Sequence, residues 1–301
     1  MSEENFKSGY VALLGAPNAG KSTLLNSLLQ QKLSIVSRKP QTTRHKIIGL
    51  ASTKNYQIVF LDTPGLIEPK YLLHQIMMKS ALSAIEDANI VALLVDVKYC
   101  EYELSQPEMQ KALAKISRLG LKTFILINKI DTINKAEIIP LILKAQSIFP
   151  FDEIIPISGL KQINTDNLIE LFLKYLPVHP PFFPLDDLSN ADDKFFVSEI
   201  IREKIFKLYK KEIPYSTAVQ IIEFAERDRG KYYINAEIII ERESQKGILL
   251  GQKGLMLKKL GEMAREDIEK FLNHKIFLDL FVKVKTDWRE KENSLKDFGY
   301  M

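Results

Sequence analysis

Eight consecutive residues, Gly15-Ala16-Pro17-Asn18-Ala19-Gly20-Lys21-Ser22, fit the pattern G-x-x-x-x-G-K-S/T, and Thr23 follows them. Glycines at both ends of such a loop let backbone N–H groups turn inward around phosphates. A helix that starts at the lysine adds favourable partial charge. In that chemistry Lys21 reaches the β- and γ-phosphates and Ser22 is a ligand of Mg²⁺. Further along, Asp62-Thr63-Pro64-Gly65 offers a carboxylate that holds Mg²⁺ through water and a Gly65 N–H for the γ-phosphate. An Asp-x-Pro-Gly turn is common on its own; paired with the phosphate loop it carries weight.

A third motif, Asn128-Lys129-Ile130-Asp131, decides the base. A carboxylate at Asp131 accepts from both N1–H and the exocyclic N2–H of guanine. Adenine has no such donor pair, and its N1 lone pair would face the charge. A pocket built around a charged acceptor rejects the base that leaves it unpaired. Ser158-Gly159 follows a later apolar run and adds backbone contact to the guanine O6. The nucleotide expected is GTP. An ATPase or small-molecule kinase is disfavoured by Asp131 and by the lack of an evident acceptor site.

These residues need rigid elements to hold them. Short apolar runs at 10–14, 58–61, 90–96, 124–127 and 154–157 are rich in Ile, Val and Leu and predict buried strands. Between them, 22–31, 71–87, 106–119, 137–149 and 165–176 carry apolar residues at helical spacing. Alternating strand and helix implies parallel pairing, right-handed crossovers and helices on both faces of an open α/β sheet. The phosphate loop then sits between a strand and a helix, the context that separates a real one from a chance match.

Four prolines (Pro177, Pro180, Pro181, Pro184) break this alternation, since none can donate an N–H to a helix or a central strand. Acidic residues Asp186, Asp187, Asp192 and Asp193 follow. The stretch 177–194 is expected to be a semi-stiff, partly ordered linker whose Phe182 and Phe183 dock on a neighbouring surface, dividing a domain at 1–176 from one at 195–301. Beyond it the pattern changes. A helix is predicted over 198–212, strands over 217–225 and 232–241 around a turn with Gly230, a short helix over 245–250, and a longer helix to about 271. A strictly alternating strand, Ile276 to Val284, closes the order α-β-β-α-α-β.

The chain has 301 residues, 46% of them hydrophobic and 27% charged, with 13 Gly and 13 Pro. That is an ordinary globular balance with material for about two domains of ~100–200 residues. Collagenous, disulfide-rich and wholly disordered classes are excluded. The lone Cys100 cannot pair internally and is expected to be a reduced thiol. The longest apolar run, Ile90 to Val95, falls far short of the ~20 residues of a membrane span. The acidic start, Met1-Ser2-Glu3-Glu4-Asn5, lacks the features of a secretion signal, and a cytosolic protein is expected. Net charge is only +4, yet Lys246, Lys253, Lys258 and Lys259 stand within 244–261 with no acid among them, so a local basic face is available.

The motifs and their spacing, with Gln41-Thr42-Thr43-Arg44 between the first two, resemble the translation-factor-related GTPases and the Era family of bacterial ribosome-assembly GTPases in particular. The resemblance implies that Thr43 ligates Mg²⁺ only when the γ-phosphate is present, with Thr42 as the alternative. Lys21, Thr43, Asp62 and Gly65 then form the catalytic set, and switch loops lie around 31–48 and 63–72. Leu66 occupies the position where many GTPases place a water-orienting glutamine, so slow intrinsic hydrolysis is expected. Asn18, a plain turn residue when read alone, is similar to the asparagine of members that bind K⁺ beside the phosphates. Ser158-Gly159 stands where the family more often has Ser-Ala.

The later order is similar to a type II KH domain, whose Gly-x-x-Gly loop clamps a single-stranded backbone. Here that loop is Gly251-Gln252-Lys253-Gly254, with Lys253, Lys258 and Lys259 meeting phosphates and Ile248, Leu249 and Leu255 packing under splayed bases. The tail, Val282-Lys283-Val284-Lys285 through Trp288-Arg289 to Phe298-Gly299-Tyr300, also resembles the Era family, so the likeness covers almost the whole chain. The fold class implied is an α/β P-loop GTPase domain with a mostly parallel sheet, then a smaller α+β type II KH domain. The function implied is a GTP-hydrolysing switch that binds the single-stranded 3′ end of 16S ribosomal RNA during biogenesis of the small (30S) subunit. A monomer is expected, and a peripheral association with the inner membrane is left open. The alternative is a GTPase whose C-terminal domain binds a protein or membrane surface. Trp288 is expected to anchor the tail rather than stack on a base.

Overall fold

The structure, a computed structural model, describes residues 5–227 and 231–301. Residues 1–4 of the acidic start and the turn with Gly230 lie outside the described residues. The chain forms two compact units, one reaching to Asn190 and the other running from Ala191 to Met301, with the short segment Tyr71–Leu73 grouped with the latter.

The first unit contains β1 (Lys7–Gly15), α1 (Lys21–Leu29), β2 (Ile47–Ser52), β3 (Tyr56–Asp62), α2 (Leu72–Asp87) and β4 (Ile90–Asp96). It continues with α3 (Cys100–Ser105), α4 (Pro107–Leu119), β5 (Lys122–Asn128), α5 (Ile138–Ile148), β6 (Glu153–Pro156) and α6 (Leu168–Tyr175). The sheet order is β2-β3-β1-β4-β5-β6, parallel except for β2, which runs antiparallel to β3. Every residue of β4 is buried, which is why that strand reads as a continuous apolar run and not as an alternation. Register sets Leu13 beside Asp62, Gly15 beside Leu94 and Asp96 beside Asn128. The carboxyl ends of β1, β3, β4 and β5 therefore share one edge, with the crevice where the chain order reverses about β1, the place such sheets bind ligands.

Two elements were not legible in the sequence. β2 begins in the last residues of the expected switch loop, at Ile47 and Ile48, and runs on through residues given no element; it is a six-residue edge strand whose partner, β3, supplies its hydrogen bonds. α3 has six residues, too few for a helical period to show. Its Cys100 is buried, and burial pushes the thiol up to about 11, in keeping with an unreactive reduced cysteine.

Residues 177–190 pack on the first unit. Phe183 joins its core, and the Phe182 ring meets Tyr10 edge-on at 4.8 Å and stacks on His179 at 4.4 Å. Buried Gln57 clasps the stretch: its Oε1 accepts from Phe182 N–H (2.7 Å) and Phe183 N–H (2.9 Å), and its Nε2 donates to Phe183 C=O (2.9 Å). Further on, Leu50 N–H donates to Leu188 C=O at 2.9 Å.

The second unit runs α7 (Asp193–Leu208), β7 (Ala218–Arg227), β8 (Lys231–Ile240), α8 (Glu243–Leu250), α9 (Leu255–Leu272), β9 (Ile276–Val284) and α10 (Glu292–Asp297). β7 pairs antiparallel with β8, and β8 pairs parallel with β9. The α-β-β-α-α-β order is as read. α7, however, starts earlier than its periodicity predicts, because Asp192 Oδ1 accepts from Phe195 N–H at 2.8 Å and caps the helix there, and it ends earlier too, at Leu208. Trp288 is fully buried, donates from Nε1 to Ser216 C=O at 2.9 Å, and stacks with Tyr300 at 6.0 Å. It anchors the tail. Among the described residues no helix is long and apolar enough to cross a membrane.

Candidate functional site

The loop from Gly15 to Gly20 joins β1 to α1, as its pattern requires. Lys21 is buried, and its Nζ donates to the loop carbonyls of Gly15 and Ala16, both at 2.9 Å. Burial lowers its pKa to about 8, while Asp62 and Glu103 pull it back up. The ammonium is thus parked on weak carbonyl partners beside the space the loop encloses, ready to move to a stronger anion. Thr23 follows Ser22 in the first turn of α1. Asn18 sits at φ 63° and donates from Nδ2 to Arg38 C=O at 3.0 Å, tying the loop to the segment before Thr43.

Three oxygen donors converge next to Lys21. Ser22 Oγ donates to Asp62 Oδ2 at 2.7 Å and lies 2.8 Å from Thr43 Oγ1. Thr42 Oγ1 instead donates to Lys39 C=O at 2.8 Å, so of the two threonines it is Thr43 that faces Ser22. Asp62 is fully buried, and burial pushes its carboxyl up against the opposing pull of the Ser22 hydroxyl and the Lys21 ammonium. Its Oδ1 has no hydrogen-bond partner. Two hydroxyls and a carboxylate with an unsatisfied buried oxygen are a hard donor set that fits Mg²⁺.

Gly65 passes so close to the loop that a Cβ there would stand 2.7 Å from Pro17 N, which no side chain could tolerate. Thr63 Oγ1 donates to Leu13 C=O at 2.7 Å, and Pro64 links the two. Leu66 is buried, with its N–H on Gly15 C=O at 3.0 Å; it offers no group to a water molecule.

The residues expected to read the base also assemble. Asn128 Nδ2 donates to Ala19 C=O at 2.8 Å, and its Oδ1 accepts from Gly159 N–H at 3.0 Å and Lys129 N–H at 2.8 Å. Asn128 therefore rivets the phosphate loop, its own turn and the turn at Gly159 together. Ser158 Oγ donates to Asp131 Oδ1 at 2.6 Å, which turns that carboxylate. Here the sequence reading fell short, since it assigned this turn only backbone contact. Gly159 itself has a φ open to other residues, and a Cβ there would touch Leu24 Cα at an ordinary 3.4 Å, so alanine fits at this position too. Sequence reading also missed Asp96, whose Oδ2 pairs with Lys129 Nζ at 2.6 Å. Its place at the end of a buried strand, like that of Asp62, was the available signal.

In the second unit Gly251, at φ 67° and ψ −176°, ends α8, and Gly254 at φ 78° precedes α9. Position 251 requires glycine, since a Cβ would lie 2.5 Å from Met256 Cγ in a backbone region closed to most side chains. α9 begins with neither a side-chain cap nor an acid in its first turn, leaving its N–H groups available to an anion. Gln252, Lys253, Lys258 and Lys259 are exposed around it. Ile248 and Leu255 are 51% and 62% exposed and form an apolar rim. Leu249 does not join them. It is fully buried in the core of the unit, because the helical turn that exposes Ile248 points its neighbour inward, which corrects the expectation that it packs under bases.

Comparisons with known proteins fit this geometry. Residues 10–129 match the family model described as 50S ribosome-binding GTPase, and residues 212–289 match the KH domain model. GTPase Era of Clostridium kluyveri is 43% identical over 98% of this chain and 99% of its own. GTPase Era of Geobacter metallireducens is 44% identical over the full length of both chains. Among solved structures, an Aquifex aeolicus Era variant bound to GDP and AlF₄⁻ superposes with a TM-score of 0.92 at 38% identity, covering 98% of this chain and 99% of that one. An Era structure with MgGDPNP and nucleotides 1506–1542 of 16S ribosomal RNA also gives 0.92, at 39% identity and the same coverage.

Proposed function

The chain belongs to the Era family of GTPases, and from that premise we propose that it cycles GTP in its first unit and grips the single-stranded 3′ end of 16S ribosomal RNA with its second, acting in assembly of the small ribosomal subunit. The observation that carries the nucleotide reading is the convergence of Ser22, Thr43 and Asp62 beside Lys21.

In this reading GTP lays its phosphates in the Gly15–Gly20 loop. Lys21 leaves the Gly15 and Ala16 carbonyls for the β- and γ-phosphate oxygens, where its positive charge offsets the negative charge that builds on the phosphoryl group. Ser22, Thr43 and Asp62 would hold Mg²⁺, which would supply neutralisation of phosphate charge. The Gly65 N–H meets the γ-phosphate, and its missing side chain is what allows that approach. Water attacks the γ-phosphorus, the bond to the β-bridging oxygen breaks, and GDP and phosphate leave. With Leu66 in place of an amide side chain, no group at that position orients the water, so turnover by the isolated chain is slow.

Asp131, turned by Ser158, accepts the two guanine N–H donors, and Asn128 and Gly159 fix the turns around it. Asp131→Asn replaces an acceptor pair by one acceptor and one donor, which suits xanthine. Competition binding is expected to show preference moving from GTP to xanthosine triphosphate, and retained GTP preference refutes the assignment.

Asn18 carries an amide oxygen of the kind K⁺ takes, and a monovalent cation there would offset charge on the leaving phosphate. Turnover is expected to be faster in K⁺ than in Na⁺, with Asn18→Ala abolishing the difference. Equal rates of the parent in both salts would remove K⁺ from the account.

The Gly251–Gly254 turn and the free N-terminus of α9 suit a phosphodiester backbone, and the Ile248 and Leu255 rim suits splayed bases. The relative bound to 16S ribosomal RNA supports that choice of partner. The chain is read as a monomer. A peripheral membrane fraction rests on the family likeness alone.

A further inference from the structure

We infer that Asp96, outside every motif of the nucleotide site, is a positioning residue for guanine binding: its carboxylate fixes Lys129 before the base arrives. The inference rests on reading 128–131 as the guanine-binding motif. Asp96 ends β4, in register with Asn128 of β5, and Val97 N–H donates to Asn128 C=O at 2.9 Å, so the two strand ends are locked side by side. Both carboxylate oxygens of Asp96 are committed. Oδ2 takes the Lys129 ammonium at 2.6 Å and Oδ1 accepts from Lys98 N–H at 3.0 Å. The backbone is held as well, since Asp96 N–H donates to Glu103 Oε2 at 3.0 Å. Asp96 is thus held at three points, two of them on its carboxylate, and the fixed carboxylate restrains the ammonium it holds.

Lys129 needs such a partner. Its backbone sits at φ 67°, which aims the side chain but leaves a four-carbon stem free to rotate. A lysine that is free in the empty protein gives up that freedom when a base covers its stem; one already pinned does not, and the saving appears as tighter binding. The pair is largely sheltered, the Asp96 side chain being 12% and that of Lys129 34% exposed, so salt screens it less than a surface pair. Lys129 also cancels the Asp96 charge. Asp131 then remains the carboxylate that reads the guanine N–H donors, with no second acid competing for them.

The test follows dissociation of a fluorescent GDP from the full chain in four forms: parent, Asp96→Asn, Lys129→Met and the double variant. Asparagine keeps an oxygen for Lys98 N–H and removes the charge that holds the lysine. Asp96→Asn is expected to release GDP up to about tenfold faster, the scale of one immobilised long side chain. The double variant is expected to release it no faster than Lys129→Met alone, and the melting temperature of nucleotide-free Asp96→Asn should not fall. Parent-like release from Asp96→Asn overturns the inference, as do effects that multiply in the double variant or a lowered melting temperature, which marks a merely structural role. In those cases the guanine reading stands. Parent-like release from Lys129→Met overturns that reading and the inference with it. Should the asparagine variant not fold, Asp96→Ser is judged by the same outcomes.

Discussion

Glu103 is a carboxylate whose surroundings resist its ionisation. It is 8% exposed, and burial raises its pKa from 4.5 to about 7; the Asp96 N–H it accepts lowers it, the Asp96 charge adds to the rise, and Lys129 and Lys21 pull it down. Below pH 4.5 the group is protonated in folded and unfolded chains alike. As pH rises from there through 7, the unfolded chain releases the proton first, so the folded state loses stability across that window. A shift of this size corresponds to about 3 kcal/mol. Glu103→Gln keeps an oxygen for the Asp96 N–H and cannot ionise. Urea denaturation of the nucleotide-free protein is expected to find it more stable than the parent by up to about 3 kcal/mol at pH 8, and close to it near pH 5. An equal difference at both pH values would show that ionisation of Glu103 is not the cause. At this scale the motif residues were legible because phosphate and guanine chemistry, as proposed for this site, would dictate their types and spacing. Asp96, Glu103 and the Ser158 hydroxyl were not. Their partners, Lys129 for Asp96, the Asp96 N–H for Glu103 and Asp131 for Ser158, lie on other strands or turns, and only the folded chain brings them together.

At the scale of elements, the parallel strands announced themselves through buried apolar runs, as β4 does along its whole length. β2 did not, because an edge strand takes its hydrogen bonds from β3 and needs no strong pattern of its own. The start of α7 was misplaced for a related reason: Asp192 looks like one more acid in a linker until its carboxylate is seen on Phe195 N–H. Gln57 is the least expected element-scale contact, a buried amide within β3 that holds two N–H groups and a C=O of residues 182 and 183. Gln57→Leu would leave those groups without that partner, at about 1–3 kcal/mol for each one kept from water. Chemical denaturation is expected to show a loss of about 2–4 kcal/mol, with the melting cooperative as before. A loss under about 0.5 kcal/mol would mean that solvent takes over the clasp.

At the scale of the whole molecule, the change of pattern after the prolines marked two units, and the second could be read as a nucleic-acid module because glycines, lysines and exposed apolar residues cluster in its α8–α9 turn. A switch of this kind requires that GTP turnover in one unit answer to RNA on the other. Lys253 allows that question to be asked without disturbing the turn, since it is exposed and sits at φ 50°, a conformation aspartate accepts. The decisive measurement is GTP turnover in K⁺ buffer with and without a short RNA copying the single-stranded 3′ end of 16S ribosomal RNA, for the parent and for Lys253→Asp. RNA is expected to accelerate the parent, the gain to fall as salt rises, and Lys253→Asp to lose it. Turnover indifferent to the RNA, with no binding detected, would contradict the coupled switch and leave a GTPase whose second unit serves another partner.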